Sequence, residues 1–233
     1  MDKIILLSLV IPLLFPSPSL AADLQSVVIG INDGEQVVAT GVPLTSGAWG
    51  ADYITVSHLL QSRIKYSITS DGKVVAKAQS VAACGRFYQG IDVLILRVRE
   101  HRYRPVVTWG QAAELKIGEE LQIFPYRSFE SVSVLVRFLH PDFAVWATTH
   151  IRKDRQWNEW PPEARGVLVG EGRGRPGFSG SPWVKDGKVY GLHKGPLPPE
   201  FGLKDILGAE PWSKIDRCLK DVHYEYRTLV RVR

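Results

Sequence analysis

The strongest constraint on what this chain can fold into is its rhythm of short apolar runs cut by turn residues. From Ser26 onward, stretches rich in Val, Ile and aromatics are broken every few residues by Gly, Pro, Asp and Ser. The first half offers runs at 26–31, 36–41, 53–56, 64–69, 73–79 and 92–98, and the second at 121–126, 131–139, 143–149, 166–170, 181–185 and 188–193. Several alternate apolar and polar side chains with period two, as strands that bury one face do. The separators Asn32-Asp33-Gly34, Asp71-Gly72 and Asp186-Gly187 are hairpin turns by composition, because Gly and Asn accept positive φ. Many short strands at this spacing argue for barrels or a sandwich, and two such sets, joined by a polar link at 110–118, favour an all-β chain of two six-stranded antiparallel barrels, over about 24–109 and about 118–208. One helix is predicted at the end, over about 211–222, where Trp212, Ile215 and Leu219 fall at helical spacing.

Residues 1–21 stand apart. Lys3, an apolar run from Ile4 to Phe15 and a small, turn-prone stretch ending Ser19-Leu20-Ala21 make the three-part pattern of a secretory signal, with cleavage expected after Ala21. The run is too short, and too interrupted by Pro12 and Pro16, to persist as a membrane span. A secreted or periplasmic protein is expected, with no stable membrane insertion once the signal is removed. There Cys84 and Cys218 are permitted to bridge; the sequence leaves open whether they do, and their spacing is not that of metal ligands. A formal net charge of +5, from 29 Lys and Arg against 24 Asp and Glu, is only a mild bias towards anionic partners. The basic stretches at 152–155 and 227–233 are short and interrupted, so no nucleic-acid partner is expected.

Three segments carry chemistry. In RPGFSGSPWV, residues 175–184, Ser179 lies in a glycine-punctuated turn that exposes its hydroxyl, and Gly177 and Gly180 let backbone amides converge on one spot. Acyl transfer needs such a spot for the negative charge of its tetrahedral intermediate. A hydroxyl is also a weak nucleophile unless a base, itself oriented by a third group, takes its proton. His58, at the end of the run YITV, and Asp92, opening the apolar run DVLILRV, supply those residue types; a carboxylate at the head of an apolar strand is costly unless paired.

YITVSHLL, GIDVLILRV and PGFSGSPWVKDGKVYGLHKG resemble, in that order, the histidine, aspartate and serine segments of chymotrypsin-like serine peptidases. The resemblance spans nearly the whole chain after residue 21. It implies a serine endopeptidase acting on protein or peptide substrates without metal or cofactor. Ser179 would be the nucleophile, His58 the general base and then acid, Asp92 the group that orients the imidazole, and the Gly177 and Ser179 amides the oxyanion hole. Digestive members carry an Asp just before the serine to pair with a freshly cut N-terminus. Phe178 stands there in this chain, so the likeness is nearer to bacterial glutamyl endopeptidases and high-temperature-requirement proteases, without the peptide-binding module of the latter.

That likeness also bears on specificity. In GLHKG, His193 falls where glutamate-cleaving bacterial enzymes and glutamine-cleaving viral proteases carry His, and Arg173 and Arg175 precede the serine. An imidazole there can donate to a carboxylate or amide; the alternative is a strand histidine satisfied internally, with both arginines in solvent. The aromatic and basic stretch 150–166, with Trp157 and Trp160, reads either as a substrate loop or as a surface loop packed on its own aromatics. His101, His140, His150 and His223 read as surface or packing residues. An α/β-hydrolase esterase, which the Gly-Phe-Ser-Gly run brings to mind, would place its acid and histidine after the serine and follow it with a helix. A catalytically idle binding module on a protease fold is the remaining rival, and all three triad residue types stand against it.

Overall fold

The structure is a computed structural model. It describes residues 28–32, 36–47, 50–58, 66–70, 73–84, 90–99, 107–126, 134–161, 164–196 and 205–222. Residues 1–21, His101, His223, the basic stretch 227–233 and the two expected hairpin turns at 32–34 and 71–72 fall wholly or partly outside them.

Strands β1 (Ile29–Asn32), β2 (Val37–Gly47), β3 (Gly50–Thr55), β4 (Ser67–Ser70), β5 (Lys73–Lys77), β6 (Gln79–Cys84) and β7 (Val93–Val98) form one antiparallel sheet in the order β5-β4-β1-β2-β3-β7-β6. β5 and β6 are a single stretch bent at Ala78, whose amide donates to Tyr66 O at 3.0 Å. One bent strand therefore supplies both edges of the sheet, which accounts for seven segments where six runs were expected. Such bends let a twisted sheet curl towards closure.

The second set comprises β8 (Thr108–Trp109), β9 (Glu120–Ile123), β10 (Val134–His140), β11 (Leu168–Glu171), β12 (Pro182–Lys185), β13 (Lys188–Pro196) and β14 (Ile206–Pro211). Its order is β12-β9-β10-β11-β14-β13, and the pairing of β12 with β13 closes the ring, while β8 adds a short parallel pair outside it. Asp186 and Gly187, at φ 49° and 73°, make the tight hairpin between β12 and β13 that their composition predicts. The architecture is thus an all-β double barrel with a C-terminal helix.

Helix α1 (Phe143–His150) is a correction, because 143–149 reads as a strand in sequence. Pro141 ends β10, and the Asp142 carboxylate caps the helix by accepting from Ala144 N at 2.8 Å. Phe143, Ala144, Trp146 and Ala147 are buried, a three-and-four spacing that the apparent alternation of the run conceals. β14 was not singled out in sequence either; its Gly208 and Glu210 obscure an otherwise apolar run. Helix α2 (Trp212–Asp221) buries Trp212, Ile215, Cys218 and Leu219 on one face, as its periodicity predicts.

Apolar clusters fill each barrel: Ile31, Leu94 and Leu96 in the first, Leu121, Val136, Phe138 and Trp183 in the second. A further cluster joins them, gathering Val42, Ile54, Val93 and Ile95 with Leu192 and the buried face of α2. That is why β3 and β7 are buried along almost their whole length rather than alternating. Trp212 also stacks on Trp109 with ring centroids 4.3 Å apart. Cys84 and Cys218 are disulfide-bonded, which ties the first barrel to α2 across 134 residues of sequence. Closing so long a loop in the unfolded chain is worth roughly 2–5 kcal/mol of stability. Reducing the bond should therefore lower the free energy of unfolding by about 3 kcal/mol, measured by urea denaturation with and without dithiothreitol; coincident curves would contradict this.

Candidate active site

The seam between the barrels brings His58, Asp92 and Ser179 together. His58 comes immediately after the β3 segment, Asp92 immediately before β7, and Ser179 from the turn leading into β12. The Asp92 side chain is 2% exposed, so each of its oxygens must be satisfied from within. Oδ1 accepts from Ser57 N at 2.6 Å, Ser57 Oγ at 2.8 Å and His58 N at 2.8 Å. Oδ2 is 2.8 Å from His58 Nδ1, and His58 Nε2 is 3.2 Å from Ser179 Oγ. Burial acts to raise the Asp92 carboxyl pKa, but the hydrogen bond and charge of His58, the Lys194 ammonium and Ser57 outweigh it and hold it below its ordinary value. A carboxylate at Nδ1 leaves Nε2 as the nitrogen that can take a proton from the serine hydroxyl.

The turn that presents Ser179 is held by both barrels. Thr40 N, on β2, donates to Ser179 O at 2.7 Å, and Thr55 Oγ1, on β3, donates to Thr40 O at 2.8 Å. Gly180 lies at φ 79°, and a Cβ there would collide with Thr40 O and Thr55 Oγ1. Only glycine allows the first barrel to approach the serine this closely. Phe178 N donates to Arg175 O at 3.2 Å, with Pro176 and Gly177 between them and Gly177 at φ 87°, the pattern of a type II turn. Among the described residues, neither the Gly177 nor the Ser179 amide donates to a backbone carbonyl, which leaves both available to a developing oxyanion.

His193, on β13, is 1% exposed. Trp183 Nε1 donates to its Nδ1 at 3.3 Å, which puts the ring proton on Nε2, and Phe178 packs edge-on at 6.2 Å. Burial, helped by the charge of His58, lowers its pKa from the ordinary 6.5 to about 3. Arg173 points outward and stands 3.9 Å from Asp205, as a loose surface pair. Arg175 is also exposed. Phe178 is buried in the core of the second barrel, so no ionic anchor for an N-terminus exists at that position. In the 150–166 stretch, Trp160 is fully buried against Phe143 and donates to Thr148 Oγ1 at 3.1 Å, which is the packed-loop reading; Trp157 remains exposed beside Arg165.

Two partners of Asp92 are not evident in the sequence. Ser57 carries no signal of its own beside His58. Glu210 carries the same signal that singled out Asp92, a carboxylate in an apolar strand, but its strand was not recognised. Among the described residues, no group of three or more His, Cys, Asp or Glu side chains is arranged to hold a metal ion, and no helix is long and apolar enough to cross a membrane.

Two barrels with these side chains at their seam define the chymotrypsin-like fold. No protein-family model matches the chain, and neither does any curated protein. Among solved structures, it is similar to the active form of the Rv3671c protease of M. tuberculosis, at 17% identity and a TM-score of 0.64, over 98% of this chain and 96% of that one. The inactive form of the same protease aligns at 18% identity and a TM-score of 0.62, over 91% and 99%. Its serine-to-alanine mutant, also in an inactive form, aligns at 17% and 0.62, over 94% and 100%. At such identities the likeness is one of fold.

The buried His193 sets a pH dependence whose sign is fixed. The unfolded chain protonates this residue below about 6.5 and the folded chain only near 3, so the folded state loses stability as pH falls through that window. Each unit costs about 1.4 kcal/mol. Asp92, held below its ordinary value, contributes stability that is lost only at pH lower than that value and leaves the upper window untouched. Lowering pH from 7 to 4.5 should therefore cost about 2–3 kcal/mol by urea denaturation, and less in His193→Gln. Equal slopes for the two proteins would refute the assignment.

Proposed function

We propose that the chain is an exported serine endopeptidase. The observation that carries this reading is the continuous contact from buried Asp92 through His58 to Ser179, at 2.8 and 3.2 Å, at the seam of a chymotrypsin-like double barrel. His58 Nε2 takes the hydroxyl proton as Ser179 Oγ attacks the substrate carbonyl, and Asp92 holds the resulting imidazolium in place. The amides of Gly177 and Ser179 stabilise the oxyanion. His58 then gives its proton to the leaving amine, whose departure leaves an acyl-serine. Water, deprotonated by the same imidazole, hydrolyses that ester and restores the hydroxyl. The neighbouring proteases of known structure support the reading. Export is supported by the pattern of residues 1–21 and by a disulfide of a kind that persists in oxidising compartments. Protein or peptide is the substrate class.

Preference for Glu or Gln on the acyl side of the cut belongs to the same reading. His193 Nε2 carries the ring proton and faces the Gly172–Arg175 segment, where Gly174 offers no side chain; a Cβ there would stand 3.5 Å from Nε2. A neutral imidazole donor suits a carboxylate or an amide. Because the ring is so enclosed, a substrate side chain reaching it must displace that segment, with the exposed Arg173 at the rim.

Labelling by a fluorophosphonate probe tests the chemistry. Wild type should be labelled at Ser179, whereas Ser179→Ala and His58→Ala should lose peptide turnover by at least about 10⁴-fold with unchanged circular dichroism. Undiminished turnover by pure Ser179→Ala protein would end the proposal. In a peptide library, Glu and Gln should exceed Lys, Arg and Phe by more than about tenfold in kcat/KM. A profile dominated by basic or aromatic residues would remove the specificity and leave the nucleophile standing.

A further inference from the structure

Behind Asp92 lies an ion cluster that the proposed chemistry does not use. Glu210, on β14, has a fully buried side chain. Its Oε2 accepts from the backbone N of Asp92 at 3.1 Å and stands 3.3 Å from Lys194 Nζ. Its Oε1 is 3.2 Å from Lys214 Nζ, and the same ammonium donates to Gly90 O at 2.9 Å. The contacts follow a definite pattern. Glu210 and Lys214 belong to the second barrel and the C-terminal helix, while Gly90 and Asp92 belong to the first barrel. The acid grips the amide on one side of Ile91 and the base grips the carbonyl on the other.

A buried carboxylate with no role is a poor choice, since an apolar side chain of similar volume stabilises a fold as well or better. The arrangement makes sense as a clamp. Asp92 precedes β7 and lies outside its ladder, so the pairing that aligns Val93–Val98 does not by itself determine where the Asp92 backbone stands. Glu210 and Lys214 supply the missing constraint from the opposite barrel. Charge balance follows the same logic: Asp92 and Glu210 face Lys194 and Lys214, two against two. Burial pulls Lys214 below its ordinary value and the charge of Glu210 opposes that pull.

We infer that Glu210 and Lys214 are positioning residues for the triad, gripping the main chain at Gly90 and Asp92 so that the Asp92 carboxylate meets His58 Nδ1 in register. The inference rests on the peptidase reading, and its consequence is for turnover rather than for substrate binding. A carboxylate displaced by even a fraction of an ångström orients the imidazole less well, and errors of that size cost about tenfold or more in rate.

The test measures kcat, KM and the rate of fluorophosphonate labelling in the full chain. Lys214→Met keeps the side-chain length and removes the charged head. It should lower kcat and the labelling rate by about tenfold or more with KM within about twofold, and Lys214→Arg should recover most of the loss. In an Asp92→Ala background, Lys214→Met should change the labelling rate by less than about twofold, because the residue acts only through Asp92. Glu210→Gln, which keeps an acceptor for the Asp92 amide but removes the carboxylate charge that Lys194 and Lys214 face, is expected to behave likewise; should it fail to fold, the lysine variants decide alone. Wild-type rates in folded Lys214→Met, or an equal loss with and without Asp92, would overturn the clamp. Absence of labelling in wild type would instead overturn the peptidase reading.

Discussion

Burying the carboxylate of Asp92 is the constraint on which the rest of this site depends. An unpaired charge in that position would cost several kcal/mol, so the fold must surround it with donors. Ser57 and His58 provide them from a single tight segment, whose amides and hydroxyl converge on Oδ1 while the imidazole takes Oδ2. Satisfying the acid and orienting the histidine are therefore one structural act, since the chain cannot meet the first requirement without achieving much of the second.

The serine arrives from the other barrel, which makes the seam the decisive surface. Thr40 holds the backbone of the serine turn and is itself held by the Thr55 hydroxyl, and Ser181 Oγ donates to Thr40 Oγ1 at 3.0 Å. Gly180 permits the approach, and His193 braces the turn from behind, its carbonyl accepting from Gly180 N and its amide donating to Ser181 O, each at 2.8 Å. His193 is thus a structural support as well as a candidate specificity residue. Its Trp183 partner and its apolar surroundings keep the imidazole neutral, the state in which Nε2 is a single, directed donor.

Relative placement of the barrels is set by apolar packing and then refined by polar contacts. The cluster between β3, β7, β13 and α2 removes apolar surface from water, worth about 25 cal/mol per Å². Such packing tolerates small shifts. Directed contacts such as Thr40 N to Ser179 O, and Glu210 to the Asp92 amide, tolerate fewer, and they lie beside the reacting groups. The disulfide fastens α2, which carries Lys214, to the strand preceding Asp92.

The strand-rich class, the two sets of strands, the terminal helix and the choice of His58, Asp92 and Ser179 as the residues that the fold brings together are legible in the sequence. These are written locally, in period-two runs, glycine turns and a carboxylate heading an apolar strand. It failed at 143–149, where the Pro-Asp start of α1 outweighed an apparent alternation, and at β14, where Gly208 and Glu210 masked an apolar run. Tertiary structure alone decided the pairing of Cys84 with Cys218, the enclosure of His193 against Trp183, the outward turn of Arg173 and the contact of Glu210 with Asp92. Each of these depends on how separate elements pack, and burial and distance exist only once the chain has folded.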